Sequence, residues 1–419
     1  MKREHFLWLL STTANVSAAP MLISGRENGD LFFSLDSKFR ISVFEDLHFG
    51  EDEWTDWAPE QDRKTVQVIN SILDKEHVDL AVLNGDLVTG ENLYLENGTH
   101  YIDLMVAPLV NRSIPWASAY GNHDIDINSS SRALMEREKA IGRNLSHTNS
   151  MVKGKEAEVG TSNYYLPVYL SGRKSIELLL WFFDSKGGWA YQDRTSEGLK
   201  VPTADYVNEE VVKWFSETKK AIRDQEKRVI PSLAFVHIPV YATADFQDAG
   251  IDPKKEPGIN EEVLGVQGNK CVNKGRDKNG NDEKDCHYAG GDTPFMKELV
   301  ATEGLLAVFS GHDHRVDWCM KWTATKPLPH TDPSTGNDIH LCLGRHTGYG
   351  GYAGEIPRGA RQILVRQQNL REKSVETWIR LEDGSVSGHV VLNTTYGQDS
   401  YTAEQTSHDG AWDDAKARG

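Results

Sequence analysis

No apolar run in the sequence approaches the ~20 residues that a membrane-spanning helix needs, so no span is expected. Positive charge is also scarce. Lys and Arg number 46 against 62 Asp and Glu, a net charge of −16. Such a surface repels polyanions, which argues against general binding of nucleic acid or anionic membranes. There are only four cysteines, Cys271, Cys286, Cys319 and Cys342, all in the C-terminal half. No two have the close spacing of a thiolate zinc knuckle, which argues against a Cys-only zinc site. No Ser or Cys nucleophile motif and no internal repeat is found.

What is present is enough chain for a substantial core, as one large or two ordinary domains. The N-terminus, "MKREHFLWLLSTTANVSAAP", has a basic start, a short apolar run and small residues at its end. It resembles a secretory signal peptide over residues 1–19, with a mature start near Ala19 or Pro20. Five N-glycosylation acceptor patterns, at Asn97, Asn111, Asn128, Asn144 and Asn393, point the same way, to a secreted glycoprotein. The even cysteine count fits an oxidising compartment. Of three possible pairings, two local disulfides, Cys271 with Cys286 and Cys319 with Cys342, are the simplest.

Short apolar segments alternate with helical patterns. Strands are expected at 39–46, 78–86 and 114–124, with helices at 63–77 (Val66, Ile69 and Leu73 on one face) and 101–112 between them. This βαβαβ run predicts parallel strands with helical crossovers. Further strands are expected at 175–185, 232–240 and 305–314. An amphipathic helix is expected at 208–227, and a strand-rich end from 338 to 392. The expected α/β domain covers 35–395. Residues 244–292 are polar and rich in Gly, Asp and Lys, and read as an insertion. Residues 396–419 read as a polar tail.

Polar clusters follow the apolar strands. Asp46 and His48 follow the first, Asp86 the second, and Asn122, His123 and Asp124 the third. His237 ends a later strand, and His312 and His314 follow the last. Ligands of open α/β sheets collect outside the carboxyl ends of strands, so these clusters should converge. Nitrogen and oxygen donors without thiolate suit Zn, Mn or Fe. Seven donors exceed one ion's needs and match two ions sharing a carboxylate, a known device for phosphoryl displacement.

In order and spacing these motifs resemble the calcineurin-like metallophosphoesterases. "GHDHRVDWC" (311–319) and "LCLGRHTGYGGYAGEIPRGAR" (341–361) resemble the purple-acid-phosphatase-like secreted branch of fungi and plants. The resemblance implies a four-layer α/β/β/α sandwich and a dinuclear-metal phosphoric ester hydrolase that works through a metal-bound hydroxide. It implies Asp46, His48 and His314 on one ion, Asn122, His237 and His312 on the other, and Asp86 bridging both. His123 would contact phosphate and protonate the leaving oxygen, with Asp124 orienting its imidazole. The iron-binding Tyr of purple enzymes, three residues after the bridging Asp, is replaced by Thr89, so a purple Fe(III) site is not expected. Arg345, His346 and Tyr241 are further candidates for substrate contact. The leading expectation is a secreted phosphomonoesterase acting on small phosphate esters. The alternatives are a phosphodiesterase of nucleotides or lipid headgroups, and a non-catalytic or regulatory phosphatase-like protein.

Overall fold

The computed structural model describes residues 29–170, 175–278 and 280–404. The expected signal peptide, and the tail beyond residue 404, lie outside the described residues. Two sheets form the centre of the molecule. One has six strands in the order 386–392, 375–381, 359–366, 38–44, 80–84, 116–119. Its last three run parallel, and the C-terminal three are antiparallel additions. The other has seven, in the order 31–32, 164–169, 176–183, 232–236, 305–310, 339–343, 319–322. Its middle four are parallel.

The apolar residues sort into three buried layers, and this fixes the architecture. Ile41, Val43, Leu80 and Val82 from one sheet meet Leu178, Leu180, Phe235 and Phe309 from the other in a shared core. The outer face of the six-stranded sheet packs on the helices Ala58–Leu73 and His100–Arg112. The outer face of the seven-stranded sheet packs on Glu209–Glu226 and Thr293–Val300. The molecule is therefore the expected α/β/β/α sandwich. Strands covered on both faces read as continuous apolar runs, and "LAVLN" (80–84) and "SLAFV" (232–236) do.

Local chemistry sets the helix ends. The Asn208 side chain accepts from the Glu210 N–H at the start of the helix Glu209–Glu226, and Lys227 closes it in the left-handed conformation. The helix expected at 63–77 starts earlier, at Ala58, and stops at Leu73. Pro59 in its first turn and the acidic Glu60 suit that earlier start.

Two segments are more ordered than their composition suggests. Within 244–292, strands Asn269–Arg276 and Asp282–Tyr288 form a hairpin in which Cys271 faces Cys286, and the two are disulfide-bonded. The second disulfide, Cys319–Cys342, joins neighbouring strands of the seven-stranded sheet. The start of the C-terminal segment is packed down. Tyr396 is buried and its hydroxyl donates to the Cys319 carbonyl at 2.9 Å.

Candidate metal centre

The parallel strands of both sheets end at the same edge of the sandwich, and the polar clusters follow those ends. Phe44 leads to Asp46 and His48, Asn84 to Asp86, and Ala119 to Asn122. Val236 leads to His237, and Ser310 to His312 and His314. The turns are tight. Asp46, His48, Asp86 and His312 have φ of 53°, 46°, 49° and 78°. Non-glycine residues rarely adopt the left-handed region, and where they do the surroundings hold them there. Gly121 meets a different demand, close approach. A Cβ there would lie 2.3 Å from Asp86 Oδ1 and 2.5 Å from the His237 ring.

Two groups of donors result. Asp46, His48 and His314 form one, and Asp86, His237 and His312 the other; within each group the donor atoms lie within 4.8 Å of one another. Asp86 Oδ2 sits between the groups, 2.9 Å from His237 Nε2 and 3.8 Å from His48 Nε2. The imidazoles are aimed from behind. His237 Nδ1 donates to the Asn84 carbonyl at 2.8 Å, His314 Nδ1 to the Tyr352 carbonyl, and His48 Nδ1 to Thr89 Oγ1 at 3.0 Å. With those protons outside, the Nε2 lone pairs of His48 and His314 face each other at 3.2 Å. Two such lone pairs repel unless a cation lies between them. His312 Nδ1 and Asn122 Oδ1 are buried without a hydrogen-bond partner, and His237 Nε2 faces the Asp86 carboxylate. This orphaned, converging N/O set fits divalent metal ions.

The charges divide the donors: burial opposes a charge on His237, but Asp86 and Asp46 outweigh it and raise that imidazole to about 10, whereas the other donor imidazoles are held neutral. Burial keeps His48 neutral down to about 4 and His312 to about 3, as ligands must be. Burial raises the Asp46 carboxyl to about 7 against the pull of His237. Burial also opposes the charge on Asp86, but the His237 and His123 imidazoles outweigh it and hold that carboxylate well below its usual range.

These groups floor a cleft of about 490 Å³, whose walls include Glu51, Asp52, Trp57, Glu91, His123 and Tyr352. His123 has its Nε2 4.0 Å from Asp86 Oδ2, while its Nδ1 lies 2.6 Å from Glu91 Oε1. The expectation that Asp124 orients His123 is corrected here. Asp124 is fully buried and accepts backbone N–H bonds from Leu87, Val88 and Gly121 at 2.8, 3.1 and 2.8 Å. It ties two loops together, while the imidazole takes Glu91 as its partner.

The three candidates for substrate contact are also corrected. Arg345 is buried and grips Asp317 through Nε and Nη2, both at 2.7 Å. His346 lies behind the site, its ring 4.0 Å from that of His314 and its Nε2 3.2 Å from the Gly350 carbonyl. Tyr241 stacks on Tyr288 at 3.8 Å. None of the three lines the cleft. Among the acceptor asparagines, Asn111 and Asn144 are exposed. Asn97 and Asn128 spend their amide nitrogens on Glu53 and the Leu93 carbonyl, and Asn393 is half-buried.

Sequence reasoning missed Glu51 and Glu91 and gave Thr89 only a negative meaning. Thr89 accepts from His48 and donates to Glu51 Oε2 at 2.6 Å, and Asn92 donates to Glu51 Oε1 at 2.8 Å. The position that holds a phenolate in purple enzymes here orients a candidate ligand instead.

The profile of the calcineurin-like phosphoesterase family matches residues 39–316, more than half of the chain. Phosphatase DCR2 of Saccharomyces cerevisiae is 27% identical over 83% of this chain, which spans about half (54%) of that relative's length. Probable inactive purple acid phosphatase 14 of Arabidopsis thaliana is 26% identical, covering 93% of this chain and 90% of the relative. A dimetal phosphatase from Danio rerio aligns with a TM-score of 0.48 at 11% identity, covering 85% of this chain and 98% of its own.

Proposed function

We propose that this chain, which belongs to the calcineurin-like phosphoesterase family, hydrolyses phosphate monoesters with two divalent metal ions. The observation that carries the reading is the double donor group, with Asp86 between its halves. Asp46, His48 and His314 would hold one ion, and His237, His312 and Asn122 the other, with Asp86 shared. Bound there, the ions would polarise the phosphate oxygens and activate water for in-line attack. The family includes relatives named as inactive phosphatases. The intact donor set and the His123–Glu91 pair support activity in this chain.

The chain's own residues supply the proton. His123 donates Nδ1–H to Glu91, which leaves Nε2–H facing the centre, where it can protonate the departing alkoxide. Thr89 stands where a phenolate would be needed for Fe(III), so Zn, Mn or Fe(II) suits the site better. Two disulfides, the exposed acceptors Asn111 and Asn144 and the character of residues 1–19 support export from the cytosol.

The test is a paired assay of purified protein, with metal content measured. p-Nitrophenyl phosphate and bis-p-nitrophenyl phosphate are compared across pH 4–9. Faster monoester turnover with about two metals per chain is expected. Faster diester turnover would move the function to a phosphodiesterase on the same residues.

A further inference from the structure

The cleft above the metal centre is unusual for a site that receives an anion. No lysine or arginine lines it among the described residues. Three carboxylates outside the donor set do: Glu51, Asp52 and Glu91. Glu91 is engaged with His123. Glu51 takes donated bonds from Thr89 and Asn92 on its two oxygens, so it stands as a fixed acceptor. Asp52 is held in the left-handed conformation, at φ 51°, on the tight loop that follows His48. Two aromatic rings share the walls. Trp57 is 45% exposed and Tyr352 39%, and the Tyr352 ring already covers His314 with one face.

Two bound metals would neutralise the phosphoryl group at the floor. They do nothing for the alcohol half of the ester, which has to share the cleft with Glu51, Asp52 and the Trp57 indole. A second phosphate or a carboxylate there meets like charge, and the His123 imidazole on the same cleft is already paired with Glu91. An ammonium group meets carboxylates and an aromatic face, the surroundings that attract alkylammonium ions. The net charge of −16 steers in the same direction.

We infer that the substrate is a phosphate monoester whose alcohol carries a positive charge, a quaternary or primary ammonium, recognised by Asp52, Glu51 and Trp57. The inference rests on the monoesterase reading above. It places nucleoside polyphosphates and other polyanionic esters among the poor substrates.

The test uses the full, metal-loaded chain and three esters of similar size: choline phosphate, its uncharged isostere 3,3-dimethylbutyl phosphate, and the anionic 4-phosphonooxybutanoate. Binding of the three corresponding non-hydrolysable phosphonates is measured by calorimetry in parallel. kcat/KM is expected to fall in the order cation, neutral, anion. The first step should be roughly tenfold or more and should shrink at high salt, as screening requires. In Asp52→Asn and in Trp57→Ala the cation-to-neutral ratio, taken within each variant, should drop several-fold. A wild-type ratio at or below one overturns the inference while leaving the monoesterase reading intact. If no ester turns over but the phosphonates bind in the expected order, the recognition stands and the catalytic reading falls. If the phosphonates bind without that order, the inference falls whatever the turnover.

Discussion

Glu91 Oε1 lies 2.6 Å from His123 Nδ1, although Glu91 sits on the short 3₁₀ turn Gly90–Asn92 and His123 follows the strand 116–119, 32 positions further along the chain. Burial opposes a charge on this imidazole, but Glu91 and Asp86 outweigh it and hold His123 well above its ordinary range. The pair therefore presents an oriented N–H to the centre, which is what protonation of a leaving oxygen requires.

Leaving groups separate that role from simple binding. Replacing Glu91 by Gln should lower kcat on an alkyl phosphate by roughly 10²-fold, because an alkoxide needs a proton to depart. p-Nitrophenolate leaves without one, so the loss on p-nitrophenyl phosphate should be much smaller. Glu91→Asp should recover part of the alkyl phosphate rate. Equal losses on both esters would remove Glu91 from the proton path.

Asp124 should behave differently. Its carboxylate closes the N–H groups of Leu87, Val88 and Gly121, which flank the donors Asp86 and Asn122. Asp124→Ala leaves three buried donors without partners, at a cost of about 3 kcal/mol in stability. Thermal unfolding should show that loss, along with reduced metal content, and the activity that survives should keep the wild-type preference between leaving groups. A variant of normal stability with a selective loss on alkyl phosphates would return Asp124 to the role expected from sequence.

The contrast between Glu91 and Asp124 shows what the sequence could convey. Donor residues were legible because they follow apolar runs, and strands that end at one edge bring such residues together. The layers were legible for the same reason, since apolar periodicity reports which faces are covered. Partnership within the site was not. Asp124 is adjacent to His123 in sequence, but its carboxylate bonds backbone N–H groups while the His123 imidazole pairs with Glu91. Glu51 lies in a turn and Glu91 in a single 3₁₀ turn, both too short to show a period, and their partners come from other segments. Arg345 and His346 follow a strand end like the donors, yet they turn inward to Asp317 and the back of His314.

Thr89 gives a test of the support behind the donors. Thr89→Val keeps the shape but removes the acceptor for His48 Nδ1–H and the donor to Glu51. Loss of such an outer partner typically weakens metal binding about 10–100-fold. A titration with a chelator of known affinity should show that loss, and Thr89→Ser should restore most of it. Wild-type affinity in the Val variant would mean that the His48 ring is held by packing alone.

Asp62 offers a prediction away from the metal donors. Its Oδ1 accepts the Gly50 N–H at 3.0 Å. Burial raises its carboxyl from 3.8 to about 6; the Gly50 bond works against that rise and the Glu53 charge adds to it. The folded state therefore takes up this proton more readily than the unfolded state. The stability this contributes is present below about pH 4 and is lost as pH rises through about 6, because the ionised carboxylate is then confined away from water. Asn keeps an acceptor for Gly50 and carries no charge. Asp62→Asn should therefore be more stable than wild type at pH 7.5, by about 1–2 kcal/mol, and should show no advantage at pH 4. Denaturant melts at the two pH values check the sign. An advantage at pH 4 that vanishes at pH 7.5 would mean that the Gly50 bond outweighs burial in setting the charge of this residue.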